Sequence, residues 1–343
     1  GTYTMAFPTD QTTSRLGQVN ATGDDRSLFL KLYAGEVLTA YEEKNVFMPL
    51  HRTRTISNGK SASFPLTGTG SAKYHTPGTL IQADAIKHGE RIVTVDDLLI
   101  STQFIAKIDE AMNHYDVRSI YSKESGNALA NVSDRNIARV IAKAASVTTS
   151  SLAATAFGAS FADEVYTANF NIGTTTAHAL DGAKIVAAIY AALEEFDKKD
   201  IGGDKVCVLP PAQYYALLNV PSVANAAWLN RDVGGEGSVA SGVVPQVGGV
   251  KIMMSNHLPS TNQSSASGDV EPITSTRTAA YRGNYAALRG LIFSQDAAAT
   301  VKLLDLGVES EYQIDRQGTL MVAKYAMGHN ILRPACAISL NAV

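Results

Sequence analysis

The residues that could do chemistry are few and scattered. Gly59-Lys60-Ser61 has the form of the end of a phosphate-binding loop, where backbone N–H groups and a lysine cradle phosphate. The earlier glycine such a loop needs is here Arg54, and the surroundings read as a hairpin, not a strand entering a helix. Gly68-Thr69-Gly70 lacks the third glycine of a dinucleotide loop, and HExxH, CxxC, GxSxG and calcium-loop patterns are absent. Among the seven histidines, His114 and His329 are best placed for acid–base work. Both sit beside apolar or turn residues, the usual setting of a hydrogen-bonded structural histidine. Asp305, Glu309, Glu311 and Asp315 form the densest acidic group. Strand alternation puts some of them on one face, either as a cation site or, more ordinarily, as a solvated or Arg-paired surface. Cys207 and Cys336 are too few for a disulfide framework and read as small buried apolar residues. No catalytic, metal or cofactor site emerges, and this absence is mild evidence for a structural role.

The elements that must position these side chains are organised around Asp116 to Ser146. Val117, Ile120, Tyr121, Leu129, Val132, Ile137, Val140, Ile141 and Ala144 recur at three-and-four spacing, which predicts one long helix buried on one side. Thirty such residues span roughly 45 Å at the α-helical rise. Gly126 and Asn127 weaken its first third. Before it, residues 1 to about 25 are polar and without period, and Leu28, Leu32, Val37, Leu38 and Tyr41 give a helical stripe. HRTRTIS and KSASFPL flank Asn58-Gly59, a strong hairpin signal. With TGTGSAKYHTPG and the strand-like IVTV they make Arg52 to Val95 a long β excursion with little apolar material of its own. Such a ribbon is marginal alone in water and is expected to lie on another subunit. A helix is predicted over about 97–114, presenting Leu98, Phe104, Ile105, Ile108 and Met112, with Asp96 and Asp97 at its start.

The second half reads as a new unit from about Thr176. Ile185, Val186, Ile189, Leu193 and Phe196 form a helix ended by Gly202-Gly203. KVCVL is a buried strand, Pro210-Pro211 opens the helix AQYYALLN, GGVKIMMSNHLP is a strand with a turn, and Leu288 to Phe293 another strand. From Gln295 onward long alternating strands return, giving an α+β chain whose first and last thirds form one domain with the middle inserted.

Composition sets limits on this reading. The 343 residues are 45% hydrophobic and only 18% charged, which fits a surface largely covered by neighbours as well as it fits a compact enzyme. A net charge of −3 argues against an electrostatic nucleic-acid binder. No apolar run reaches the roughly 18 residues of a membrane span and no signal peptide is read, so a soluble protein made in a cytoplasm is expected.

Four strings carry a specific likeness: LFLKLYAGEVLTAYEEKNVF, TRTISNGKSASFPLTG, DEAMNHYDVRSIYSKESGNALA and VAKYAMGHNILRPA. In this order and over most of the chain, the sequence resembles the major capsid proteins of short-tailed bacteriophages, the podoviruses. The resemblance implies the HK97-like capsid fold: an N-terminal arm over 1–50, an extended β loop over 51–95, a peripheral domain over 96–176 with a spine helix, an inserted axial domain over 177–292, and strands over 293–343 completing the peripheral domain. It implies a non-enzymatic shell protein without cofactors, assembling into pentamers and hexamers of an icosahedral head. The implied partners are a scaffolding protein, a portal protein, double-stranded DNA packaged without specific binding, and a decoration or head-fibre protein, with no membrane. Arg52, Arg54, Lys60, Tyr74 and His75 on the β excursion are the candidate inter-subunit contacts. An encapsulin-type cellular compartment of the same fold is the alternative, and would carry a cargo-docking surface. An enzyme with an α/β insert is a third reading, and would need a convergent polar pocket.

Overall fold

A computed structural model describes residues 45–67, 70, 72–86, 88–112, 117–147, 169–173, 176–218, 246–264 and 278–342. The predicted arm helix Leu28–Tyr41 and His114 lie outside the described residues. The chain divides into two compact units, one including Leu98–Ala130 and Leu304–Ala326, the other Lys44–Asp97, Asn131–Leu303 and Met327–Val343.

The predicted long helix is α2, Val117–Ala145, continuous through Gly126. In its first part burial follows one stripe, Ser125, Leu129 and Ser133, as the spacing requires. From Ile137 to Ala145 every residue but Lys143 is buried. There the expectation of one buried side fails, because in the second unit the helix lies in a core with Val46, Phe47, Leu291, Phe293, Ala298, Ile331 and Ala337. Small residues at 138, 142, 144 and 145 let neighbours approach on all sides.

That core is one face of a six-stranded sheet. The strands are β5 (Asn169–Gly173), β6 (Lys205–Leu209), β7 (Gln246–Val247), β8 (Val250–Met254), β9 (Leu288–Ser294) and β12 (Ala337–Ala342), in the order β5-β12-β9-β6-β8-β7. Strand alternation sends Val208, Leu291, Phe293 and Ala337 toward α2. It sends Cys207, Leu209, Ile292, Ile338 and Leu340 toward α3 (Gly182–Lys198) and α4 (Pro211–Leu218), where Ile185, Ile189, Phe196 and Leu217 meet them. Asp181 caps α3 by accepting the Ala183 N–H at 3.0 Å. The residue that turns left-handed after this helix is Asp200 (φ 52°), ahead of the predicted glycine stop.

In the first unit, the predicted helix over 97–114 is half strand. Residues Leu99–Ala106 form β4, and only Lys107–Met112 form a short helix, α1. LISTQFIA alternates and is rich in β-branched and aromatic side chains. An antiparallel partner within β11 (Gly318–Ile331), in register from Ala106↔Gly318 to Leu99↔Tyr325, settles the competition. Asp96 and Asp97 consequently start no helix.

The predicted hairpin is also rearranged. Asn58-Gly59 does turn the chain, with Gly59 at φ 102°, but the two flanking strands are not partners. In the second unit β1 (Arg52–Thr55) pairs parallel with the start of β10 (Ala298–Gln313), Arg52 opposite Ala299 and Thr55 opposite Lys302. β2 (Ser61–Thr67) pairs antiparallel with β3 (His88–Thr94) instead.

Candidate functional site

The β2–β3 ribbon leads into the segment that carries the most exposed large apolar side chains among the described residues. Along β2 exposed and half-buried residues alternate, so Ala62, Phe64 and Leu66 make a thin apolar side while Ser61, Ser63, Pro65 and Thr67 face water. Beyond the paired strands, residues 72–86 form no regular element and every one is exposed. They include Tyr74, Leu80, Ile81 and Ile86, with Leu80 86% and Ile81 78% exposed. Pro77-Gly78 makes the turn of this segment: Gly78 has φ 92° and the Thr79 N–H donates to the Thr76 carbonyl at 3.2 Å. Lys73 and Asp84 pair across it at 3.1 Å. The dipeptide is the sequence signal for this turn.

The foot of the ribbon is firmly tied within the second unit. Val93 is fully buried, and Arg91 donates through Nε to the Ile331 carbonyl at 3.0 Å. The Asn330 amide donates to the Ile92 carbonyl at 3.0 Å, and the Asp96 N–H to the Met327 carbonyl at 3.1 Å. The Tyr281 hydroxyl donates to the Asp96 carboxylate and accepts the His329 N–H at 3.2 Å.

Next to this foot lies a buried polar network that the sequence did not announce. Asp134 of α2, with its side chain almost wholly buried, accepts the Phe47 N–H at 2.8 Å and lies 2.6 Å from His257 Nδ1. His51 bonds the Phe47 carbonyl at 2.9 Å through Nδ1 and the Thr300 hydroxyl through Nε2. Thr300 in turn bonds His329 Nδ1 at 2.7 Å. Burial, with His51 and Lys302 nearby, pushes His329 down to about 3. Burial also lowers His51, against the opposing pull of the Phe47 carbonyl and Asp134. His329 is therefore a neutral, hydrogen-bonded structural residue.

The five candidate contact residues fall into two groups. Arg52 is engaged by Asp296, and Arg54 donates to the Ser63 carbonyl at 2.8 Å with its guanidinium 5.7 Å from the Phe64 ring centre. Both arginines thus have a partner within the chain while their side chains stay exposed. Lys60 is exposed at the turn, where its carbonyl accepts the Val95 N–H at 2.8 Å. Tyr74 and His75 are fully on the surface of the outer segment. The structure does not bring the five together at one point. The acidic residues of β10 lie on an exposed strand, where Glu309 pairs with Lys324 at 2.7 Å. Among the described residues no group of three metal-ligating side chains occurs.

Comparison with known proteins agrees with this picture of a subunit built for neighbours. A family model described as "Gp10A-like: Major capsid protein" matches residues 63–341. The major capsid protein of Escherichia phage T7 is 34% identical over 332 residues, covering 93% of each chain. That of Enterobacteria phage T3 is 30% identical, covering 94% of this chain and 93% of its own. Among solved structures, the capsid of Cyanophage P-SCSP1u is 41% identical, covers 98% of this chain and 99% of its own, and superposes with a TM-score of 0.74. The mature capsid of bacteriophage PhiM1, at 18% identity and a TM-score of 0.73, shares the fold. The likeness extends across both units and the ribbon, which leaves the fold HK97-like and the protein structural, not enzymatic; the chain belongs to the family of bacteriophage major capsid proteins.

Proposed function

We propose that this chain is the repeating subunit of an icosahedral phage head, assembled as pentamers and hexamers around double-stranded DNA in the host cytoplasm. The observation that carries the reading is the outer ribbon segment 72–86, which exposes Tyr74, Leu80, Ile81 and Ile86 on an arm whose foot is held by Arg91, Asn330 and Asp96. Solvated alone, such a run is an aggregation liability; laid on an adjacent copy it becomes interface. The contacts sought among Arg52, Arg54, Lys60, Tyr74 and His75 then divide, with Tyr74 and His75 meeting the neighbour and the two arginines stiffening the root.

The division of labour follows the capsid plan: an arm over 1–50, an extended loop over 51–95, a peripheral domain over 96–176, an axial domain over 177–292, and the returning strands over 293–343. Because β12 lies between β5 and β9, that return also completes the sheet of the axial part. A scaffolding protein shapes the growing shell, a portal protein occupies one vertex, and a decoration or head-fibre protein binds outside. A net charge of −3 suits a wall that does not trap the genome, since a basic surface would hold DNA tightly.

Electron microscopy of the purified chain, with and without the scaffolding protein, tests the reading. Closed shells or rings of five and six subunits are expected, and a discrete monomer or dimer under every condition would refute it.

A further inference from the structure

His329, Thr300 and His51 form a hydrogen-bond chain whose proton order is dictated by its end. The Phe47 carbonyl can only accept, so His51 Nδ1 carries a proton and donates to it at 2.9 Å. Burial keeps this ring neutral, which makes Nε2 the acceptor of the Thr300 hydroxyl proton. Having given its proton, Thr300 Oγ1 accepts from His329 Nδ1 at 2.7 Å. The protons therefore run from His329 through Thr300 and His51 to Phe47.

One added proton can be absorbed. Placed on His51 Nε2 it reverses the Thr300 hydroxyl toward His329, whose ring moves its own proton to the other nitrogen. A second cannot be absorbed, because both rings would then aim N–H groups at one hydroxyl whose own proton has no acceptor. Two cations would also face each other in a site from which water is almost excluded. The surrounding charges set the order. Asp134 of α2, which also engages His257, favours a proton on His51, and Lys302 of β10 opposes one on either ring. On the far side Tyr281 and Asp96 close the cluster through the His329 N–H. His51 takes the first proton and His329 the second.

We propose that the His329–Thr300–His51 chain is a two-proton latch that holds residues 46–56 on the subunit core and releases them in acid. The segment is also held by the Asp134 bonds to Val46 and Phe47, by the packing of Phe47 in the core, by the Arg52–Asp296 pair and by the β1 register ending in the Ile56 N–H to Lys302 carbonyl bond. Because His329 also touches Tyr281, and Tyr281 holds Asp96, opening the latch loosens the ribbon's foot as well. The proposal does not depend on the protein's role in a shell.

Amide hydrogen exchange on the purified full-length subunit tests it, with rates corrected for intrinsic pH dependence. The reporters are Leu50 and Ile56, and the β6–β9 amides serve as the core reference. The opening constant at the reporters should rise about 100-fold per pH unit below about pH 5.5 while the closed site holds neither proton, and about tenfold per unit in stronger acid once His51 has taken the first, with the core amides staying protected. His329→Asn sets an amide nitrogen where Nδ1 was, keeps a donor for Thr300 and cannot titrate; its slope should fall to about tenfold per unit. Thr300→Ser should keep the wild-type slope. A slope unchanged by His329→Asn would overturn the proposal. So would reporters that open only together with the core, or a wild-type slope that nowhere exceeds one proton below about pH 5.5, and these two results decide even if the variants do not fold.

Discussion

Gly328 and Thr94 approach so closely that a Cβ on residue 328 would lie 2.0 Å from the Thr94 carbonyl oxygen. This is the point where the last residue of β3 passes β11, beside the bonds of Arg91, Asn330 and Asp96 that hold the ribbon's base. The obstruction is backbone, so no side chain can swing aside to admit a methyl group.

Gly328→Ala is accordingly expected to cost ~2–3 kcal/mol, the upper part of the range for forcing atoms into a packed site. Urea unfolding of the subunit measures it. A stability equal to that of the unaltered chain would show that the foot is loosely packed.

Asp134→Ala removes the acceptor for the Phe47 N–H and the partner of His257, both buried. Stranding them should cost about 3 kcal/mol. Asp134→Asn keeps one oxygen for the N–H and should lose less. Equal unfolding midpoints for the two variants would mean that the network contributes little.

Stability should fall with acid in a defined window. Above pH 6.5 His329 is neutral whether folded or unfolded and contributes no pH dependence. Below it the unfolded chain binds a proton that the folded site refuses until about pH 3, so stability declines steadily between the two. At pH 4.5 the loss from His329 alone is about 3 kcal/mol, and His51 adds to it in the same direction. A flat profile between pH 7 and 4.5 would contradict the buried neutral assignment.

Leu80→Ser combined with Ile81→Ser alters two of the most exposed apolar side chains. Subunit stability should stay within about 0.5 kcal/mol of the original. Shell yield, read by sedimentation, should collapse. Normal yield would remove these side chains from the interface.

What the sequence disclosed follows from the range over which each feature is determined. α2 was legible because nine apolar positions keep one helical period across thirty residues, and α3, α4, β6, β8 and β9 were legible by the same local logic. LISTQFIA was misread because its apolar residues fit a loose helical spacing as well, and only the partner β11, more than 200 positions on, makes it a strand. Pairing was hidden at Asn58-Gly59 for the same reason: the turn is local, but the partner of β1 is β10. The polar network was the least legible. His51 and Thr300 are separated by 249 positions, and Asp134 and His257 by 123, so no motif spacing could announce them. For the ribbon, thin apolar content marked a segment that does not bury itself, and the two arginines singled out there also engage partners within the chain, which no local pattern announced.

The most direct test of the central claim is to replace residues 72–86 with a short glycine–serine linker and image assembly with the scaffolding protein by electron microscopy. Both ribbon strands and the buried foot remain, so the variant should unfold at the same urea concentration as the original chain. The account predicts a folded subunit that forms no closed shells. Shells of normal size and yield from that variant would contradict it.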